Sequence, residues 1–101
     1  MCIRDRYRDA FRTVEGASIL PEPPGTTSNY WLAALVLDAA QAHRRDDVLT
    51  ALNDAHYMSR PVWTLMHRLP MYASCPRMDV AVAEQMESRV VNLPSSAKLG
   101  R

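Results

Sequence analysis

The sequence predicts one small domain made of amphipathic helices and a single short apolar run. The chain has 101 residues, enough for one domain with one hydrophobic core. Its residues are 48% hydrophobic and 23% charged, which is typical of a folded globular protein and not of a disordered one. Apolar residues recur at helical spacing in three segments, whereas the run at 30–37 decides between an all-α and an α+β fold.

The first segment, residues 7–16, is predicted to be the end of a helix. Its apolar side chains fall on one face, and Gly16 suits the left-handed position that often follows a last helical turn. This face consists of Tyr7, Ala10, Phe11 and Val14. The prolines, glycine and small polar residues of 19–29 then predict an ordered loop.

Residues 30–45 leave two interpretations open. The alanines of this stretch favour a helix, and intrinsic propensity alone would prefer that state. The first half of the stretch is a continuous apolar run that ends at Asp38, and such a run also suits a buried strand.

The second helix is predicted over residues 46–58. Two acids stand at its start, where the helix macrodipole favours them, and Pro61 ends the helix by about residue 59. Its apolar face consists of Val48, Leu49, Leu52 and Ala55.

A short extended segment is predicted to begin at Arg60, with one helical turn before Pro70. Residues 78–91 then predict a third amphipathic helix, which residues 92–96 close. Its apolar side consists of Val80, Val82, Ala83, Met86 and Val90.

Charge and hydropathy exclude several classes of partner. The formal net charge is +1, and no block of like charges stands out, so neither nucleic acid nor an anionic membrane surface is an expected partner. The longest apolar run, residues 30–37, is too short to span a bilayer, and residues 1–6 are too polar for a signal peptide.

The cysteines, histidines and lysine carry little chemistry by themselves. Cys2 and Cys75 make no disulfide framework, which favours a reduced, cytosolic compartment. No pair among Cys75 and the three histidines has the spacing of metal ligands, so no metal site is expected. Lys98, near the end of the chain, is the single lysine, and an internal Schiff-base lysine is therefore absent from the sequence.

The first six residues, MCIRDR, are expected to be a sequencing-adapter artefact. They join the helical segment that starts at Tyr7 without a cap or turn signal, and they match the translation of a transposase adapter end, which reads Met-Cys-Ile-Arg-Asp and then Arg or Ser. On this interpretation the natural protein is longer at its N-terminus and Cys75 is a lone thiol. The alternative is a genuine start at Met1.

The segment RPVWTLMHRLPMY, residues 60–72, mixes polar-tipped and apolar side chains. Trp63 and Tyr72 offer flat faces for stacking on a sugar or a base, Arg60 offers a fork for phosphate or carboxylate, and His67 could bind a hydroxyl or relay a proton. The structural alternative is that Trp63 and Met66 belong to the core while the charged tips reach water.

Three motifs in order resemble the C-terminal domain of the DegT/StrS family, the pyridoxal-phosphate-dependent sugar aminotransferases. They are SNYWLAALVLD, RPVWTLMHRLPMY and SRVVNLPSS, which together lie within residues 7–96. Many members carry Arg-Pro-x-Trp-Lys-Pro-(Leu/Met)-His-x-x-Pro, from which this chain departs at Thr64 and Leu65. It keeps Arg60, Pro61, Trp63, Met66, His67 and Pro70.

The resemblance implies an α+β fold, with a small antiparallel sheet packed with helices. Residues 7–101 would form the C-terminal small domain of a fold-type I aminotransferase whose large, cofactor-binding domain is missing from this chain. In such proteins the run at 30–37 is a strand, because burial overrides the helix propensity of alanine.

The resemblance also implies a function. The whole protein would move an amino group from glutamate, by way of pyridoxal phosphate held in the large domain, to a nucleotide-linked keto sugar, and it would act as a homodimer. SNYW and NLPSS suggest the subgroup of the bacillosamine and legionaminic acid pathways. The chain alone is expected to be inactive, to bind no pyridoxal phosphate and to contain no catalytic residue.

The segment at 60–72 would line the substrate side of the cleft in such enzymes. Trp63 and His67 are then expected to contact the sugar, and Arg60 to orient the segment or meet an anionic group. Asn29 and Tyr30 are further candidates for substrate binding. Two other functions stay open: a stand-alone, non-catalytic ligand-binding or regulatory domain, and an interaction module with a patch of Trp63, Met66 and Met71.

Overall fold

The computed structural model describes residues 3–96 and Lys98. Within this part the chain forms three α-helices, four β-strands and three 3₁₀ turns, which alternate along the sequence. The helices are α1 (Ile3–Phe11), α2 (Arg45–Asp54) and α3 (Ala81–Arg89). The strands are β1 (Ala17–Ile19), β2 (Ala33–Leu37), β3 (Arg60–Pro61) and β4 (Val90–Leu93). The 3₁₀ turns are Ala39–Arg44, Met66–Arg68 and Pro70–Tyr72.

The four strands form one antiparallel sheet in the order β1-β2-β4-β3. Leu35 of the central strand β2 lies opposite Ile19 on one side and Val91 on the other. Helices and sheet alternate without a parallel crossover unit, so the predicted α+β class with a small antiparallel sheet is confirmed.

The core lies on one face of the two central strands. Alternate residues of β2 are buried, and Val91 of β4 is completely enclosed. The buried cluster consists of Ile19, Ala33, Leu35, Leu37, Val91 and Leu93. Helices α1 and α2 cover it with Tyr7, Phe11, Val48, Leu49 and Leu52, so the predicted apolar face of the second helix is confirmed apart from Ala55, which lies just beyond the end of α2.

The helix preference that propensity gives to residues 30–37 is wrong. Residues 33–37 form β2, which has hydrogen-bonded neighbours on both sides, and this burial outweighs the alanine propensity. The third predicted helix is partly wrong as well. The prediction covers residues 78–91, whereas α3 begins at Ala81 and ends at Arg89. Val90 starts β4 instead of extending an apolar helix face. Val82, expected to face the core, is 73% exposed.

The predicted helix cap at Gly16 is also wrong. Helix α1 ends at Phe11, and Gly16 lies in the connection to β1, where its φ of +84° allows the chain to turn into the strand. A Cβ at this position would approach Gln41 Cγ to 3.1 Å. The glycine therefore serves the start of the sheet rather than the end of the helix.

Tyr7 joins α1 to the segment that follows β4. Its hydroxyl donates a hydrogen bond to the carbonyl oxygen of Pro94 at 2.7 Å. Burial raises the pKa of Tyr7 above its ordinary value, and the nearby phenol of Tyr57 adds to the shift. The phenol therefore keeps its proton, and with it this hydrogen bond, to higher pH than an exposed tyrosine would.

Leu35→Ala tests the assignment of the core. Because the leucine is buried in the central strand, its truncation should lower the free energy of unfolding by about 2–5 kcal/mol, measured by urea denaturation. Val82→Ala is the matched control, since Val82 is exposed and its loss should change stability by less than about 0.5 kcal/mol. Equal effects of the two variants would contradict this core.

Candidate substrate-facing site

Two exposed tryptophans line a pocket at the edge of the sheet. The pocket has a volume of about 570 Å³, and Trp31 and Trp63 in its wall are 71% and 69% exposed. Arg60, at the start of β3, lies in the same wall, and Asn92 of β4 contributes an amide. The pocket therefore combines two amphipathic aromatic faces with a cation, which suits an organic ligand that carries an anionic group.

Strand β3 brings Arg60 to this pocket. Arg60 lies opposite Asn92 and Pro61 opposite Val91, so β3 is an edge strand beside β4. An edge position suits Pro61, which has no N–H to donate to a further strand.

A side chain of α2 fixes the residue that precedes β3. Asn53 Nδ2 donates to the carbonyl oxygens of Leu49 and Ser59 at 2.9 and 3.0 Å, and Asn53 Oδ1 accepts from the amide of Ser59 at 3.1 Å. Ser59 is buried, so its backbone groups need these partners. Asn53 therefore anchors Ser59, and with it the start of the segment that carries Arg60 and Trp63, to the last turn of α2.

The loop before β2 positions Trp31. Its amide donates to Oδ1 of Asn29 at 3.0 Å, and its carbonyl oxygen accepts from the hydroxyl of Ser95 at 2.7 Å. The backbone of Trp31 is thus held at its amide and at its carbonyl group, while the indole ring stays exposed. Asn29 therefore supports the pocket through Trp31 and does not itself line it.

Tyr30 is committed to contacts within the chain. Its hydroxyl accepts from Arg4 Nη2 at 2.6 Å and from the amide of Glu22 at 3.2 Å, and the guanidinium of Arg4 lies 4.0 Å from the ring centroid. Its φ of +48° is unusual for a residue other than glycine, and these contacts stabilise it. Like Asn29, Tyr30 is absent from the pocket wall.

His67 packs against α3 rather than lining the pocket. It lies in the 3₁₀ turn Met66–Arg68, its Nε2 is 2.9 Å from Oε1 of Glu84, and its side chain is only 13% exposed. Of the five predicted site residues, the pocket brings together Arg60 and Trp63 and leaves out Asn29, Tyr30 and His67. Trp31 was not predicted as a pocket residue, although SNYW contains it and its amphipathic ring was a signal.

A second, larger cavity lies between α1 and the sheet. It has a volume of about 670 Å³ and is lined mainly by apolar residues of the core and its covering helices, including Phe11 and Leu35. It lacks the paired exposed aromatic rings of the first pocket. We regard it as a gap in the apolar layer between helix and sheet.

Two other kinds of feature, a metal site and a membrane-spanning helix, are absent from the described residues. In residues 3–96 and Lys98, no three His, Cys, Asp or Glu side chains form a group that could hold a metal ion. No helix in that same part of the chain is long and apolar enough to cross a membrane. Cys75 is an exposed free thiol, while Cys2 lies outside the described residues.

The fold and the pocket define a small α+β domain with an open aromatic site at its sheet edge. Residues 2–101 match the model of the DegT/DnrJ/EryC1/StrS aminotransferase family. The chain belongs to this family, and the family inferred from the three sequence motifs is confirmed.

Two similar proteins are a GDP-perosamine synthase and a protein named as a pyridoxal phosphate-dependent aminotransferase. GDP-perosamine synthase of Vibrio cholerae is 33% identical over 75 residues, which cover 73% of this chain and 20% of that protein. EpsN of Bacillus subtilis (strain 168), assigned by name to the pyridoxal phosphate-dependent aminotransferases, is 28% identical over 98 residues, or 93% of this chain and 25% of EpsN.

A solved structure has the same fold. The crystal structure of the aminotransferase TlmJ from Streptoalloteichus hindustanus matches with a TM-score of 0.80 and 25% identity, over 97% of this chain and 26% of TlmJ. The chain thus spans about a quarter or less of the length of each of these relatives.

Asn53→Ala tests how the pocket segment is held. The change leaves the buried amide and carbonyl of Ser59 without their side-chain partner, at a cost of about 1–3 kcal/mol for each group. We expect a lower urea midpoint and faster hydrogen exchange at Ser59 and Arg60. Thr50→Ala, an exposed change on the same helix, is the control, and unaltered exchange in Asn53→Ala would contradict this role.

Proposed function

We propose that the chain is the C-terminal small domain of a pyridoxal-phosphate-dependent aminotransferase. The whole protein would transfer an amino group from glutamate to a nucleotide-linked keto sugar for surface-glycan biosynthesis. Family membership and the names of the relatives support the class of reaction. The observation that carries the substrate-binding role of this chain is the exposure of Trp31 and Trp63 in one pocket beside Arg60.

The pocket can bind the two kinds of group that a nucleotide sugar presents. Exposed indole faces stack on bases and on sugar rings, and water leaves both surfaces when they meet. The side chain of Arg60 forms no hydrogen bond or ion pair with any other residue that the structure describes, so its guanidinium is available to a diphosphate. The chain would therefore contribute substrate binding and orientation.

The residues of this chain do not by themselves fit pyridoxal phosphate. The aldehyde of the cofactor requires a lysine amine, and Lys98, the single lysine of the sequence, is exposed. We therefore assign cofactor binding to a large domain outside this chain. The proposal extends to homodimeric assembly and a cytoplasmic location of the whole protein, and the keto sugar of the bacillosamine or legionaminic acid type stays a prediction from the motifs.

Absorbance spectroscopy tests the assignment of the cofactor. When the 101-residue chain is mixed with pyridoxal phosphate and gel-filtered, we expect no stoichiometric Schiff-base band, because no enclosed lysine is present. Lys98→Arg is the control for adventitious reaction at the exposed amine. A stoichiometric band that persists in Lys98→Arg would contradict the assignment.

Steady-state kinetics of the aminotransferase that carries this domain tests the binding role. Trp63→Ala removes a stacking surface worth about 1–3 kcal/mol, so the KM for the sugar nucleotide should rise roughly 5- to 150-fold while the KM for glutamate stays unchanged. Arg60→Ala, which removes the cation of the same pocket wall, should also raise the KM for the sugar nucleotide. Unchanged kinetics in both variants would refute the site.

A matched control separates ligand binding from protein docking. Met71 is 69% exposed, as Trp63 is, but it lies outside the pocket wall. If the exposed apolar side chains of this region served only as a patch for another protein, Met71→Ala and Trp63→Ala should have similar effects. A KM effect confined to Trp63→Ala favours the sugar-nucleotide site.

A further inference from the structure

The sheet places a carboxamide beside the cation of the aromatic pocket. Arg60 and Asn92 lie directly opposite each other on β3 and β4, so their side chains project from the same face, with Cβ atoms about 5 Å apart. Both residues line the pocket. On its other side Asn92 lies opposite Ala34, whose methyl group offers no hydrogen bond. Asn92 and Arg60 are therefore neighbouring polar groups in one pocket wall.

The carboxamide of Asn92 is free to bind a ligand. It forms no hydrogen bond with any other residue that the structure describes. Asn92 is half-buried, yet its polar atoms still reach solvent. The amide offers two N–H donors and an acceptor oxygen, and covering these groups with a ligand that cannot pair with them would cost free energy. The pocket therefore favours a ligand with a donor and an acceptor at this place.

Charge and burial orient such a ligand. Arg60 lies on the edge strand and is exposed, whereas Asn92 lies on the inner strand β4 and is half-buried. Among the described residues that line the pocket, Arg60 alone is charged, so no carboxylate competes with a ligand for it. An anionic group bound at the rim keeps much of its hydration, whereas an uncharged group enters toward Asn92 at less cost.

The indoles restrict what the uncharged group can be. Trp31 and Trp63 present flat aromatic faces in the same wall, and a planar ring makes the largest contact with such a face. A nucleobase is planar and also carries hydrogen-bond donors and acceptors along its edge, which the side chain of an asparagine can pair with. A pyranose has hydroxyl groups but no planar ring. The combination of indoles and carboxamide therefore fits a base better than a sugar.

We propose that this pocket binds the nucleoside diphosphate end of the substrate and that Asn92 is the residue that determines specificity for the base. The base stacks on an indole, Asn92 pairs with a donor and an acceptor on its edge, and Arg60 binds the diphosphate. This inference rests on the proposed function and deepens it, because it assigns one end of the nucleotide sugar to this chain. Uracil, with an acceptor beside a single N–H donor, matches the amide.

Tryptophan fluorescence of the 101-residue chain tests the two contacts separately. Both tryptophans of the sequence line the pocket, so quenching by uridine or by UDP reports on this site. Asn92→Leu should raise the Kd for both ligands about 5- to 150-fold, because it removes the contact with the base. Arg60→Leu should raise the Kd for UDP and leave that for uridine unchanged. Gln85→Leu, at an exposed amide of α3 outside the pocket wall, is the control and should change neither.

Asn92→Asp tests the specificity for the base. A carboxylate only accepts hydrogen bonds, so it suits the two adjacent N–H donors of guanine better than the edge of uracil. The ratio of the Kd for GDP to the Kd for UDP should therefore fall about 5- to 150-fold. The added negative charge weakens the binding of both diphosphates, and this effect cancels in the ratio.

Three results would overturn the proposal: no quenching by uridine, a Kd for uridine that Asn92→Leu does not change, or a ratio that Asn92→Asp leaves unaltered. Urea denaturation of each variant checks its fold. If Asn92→Leu does not fold, Asn92→Ser replaces it, because the shorter polar side chain withdraws the amide from the base.

Kinetics of the aminotransferase that carries this domain separates this proposal from the proposed function. Asn92→Leu should raise the KM for the sugar nucleotide while the KM for glutamate stays unchanged, and Gln85→Leu should change neither. If Trp63→Ala raises the KM for the sugar nucleotide and Asn92→Leu does not, recognition of the base by Asn92 fails while the proposed function stands. If neither variant has an effect, the proposed function fails as well.

Discussion

The pairing of β2 with β4 is the interaction on which the rest of the structure depends. It joins residues 33–37 to residues 90–93, so more than half of the chain lies in the loop that this pairing closes. The entropy of closing such a loop is recovered only when Leu35, Val91 and their neighbours are buried together. The free edge of β4 then accepts β3, and through β3 the pocket residues Arg60 and Trp63 acquire a fixed position.

Helical spacing predicted the parts of the fold that local interactions determine. The apolar face of α2 depends on residues within one helical segment and was predictable. The predicted end at residue 58 is wrong, because α2 ends at Asp54 and His56, with a φ of +67°, turns the chain well before Pro61. Strand β4 was not predictable, because Val90 suits a helix face as well as a strand and only pairing with β2 decides between them. Strand β1 was too short, at three residues, to show an alternating pattern.

The residues of the pocket likewise fall into those that the sequence predicted and those that only the structure shows. Arg60 and Trp63 were visible as unusual residues for either a core or a loop, and the pocket contains both. The hydrogen bonds that hold residues 59–68 in place could not be predicted from the sequence, because each joins two separate parts of the chain. They pair Asn53 with Ser59, and Glu84 with His67. A side chain that bonds across elements leaves no periodic signal in the sequence, so its role requires coordinates.

Different residues of the pocket would provide affinity for a ligand and selectivity between ligands. Stacking on Trp31 and Trp63 would bind any base or sugar with a flat apolar face, so the indoles supply binding energy with little selectivity. The fork of Arg60 is directional, and a ligand without a matching anion would leave it unpaired. Because strand pairing and Asn53 fix the backbone beside Arg60 before any ligand arrives, less ordering is required on binding, and selectivity for an anionic ligand would depend on this cation.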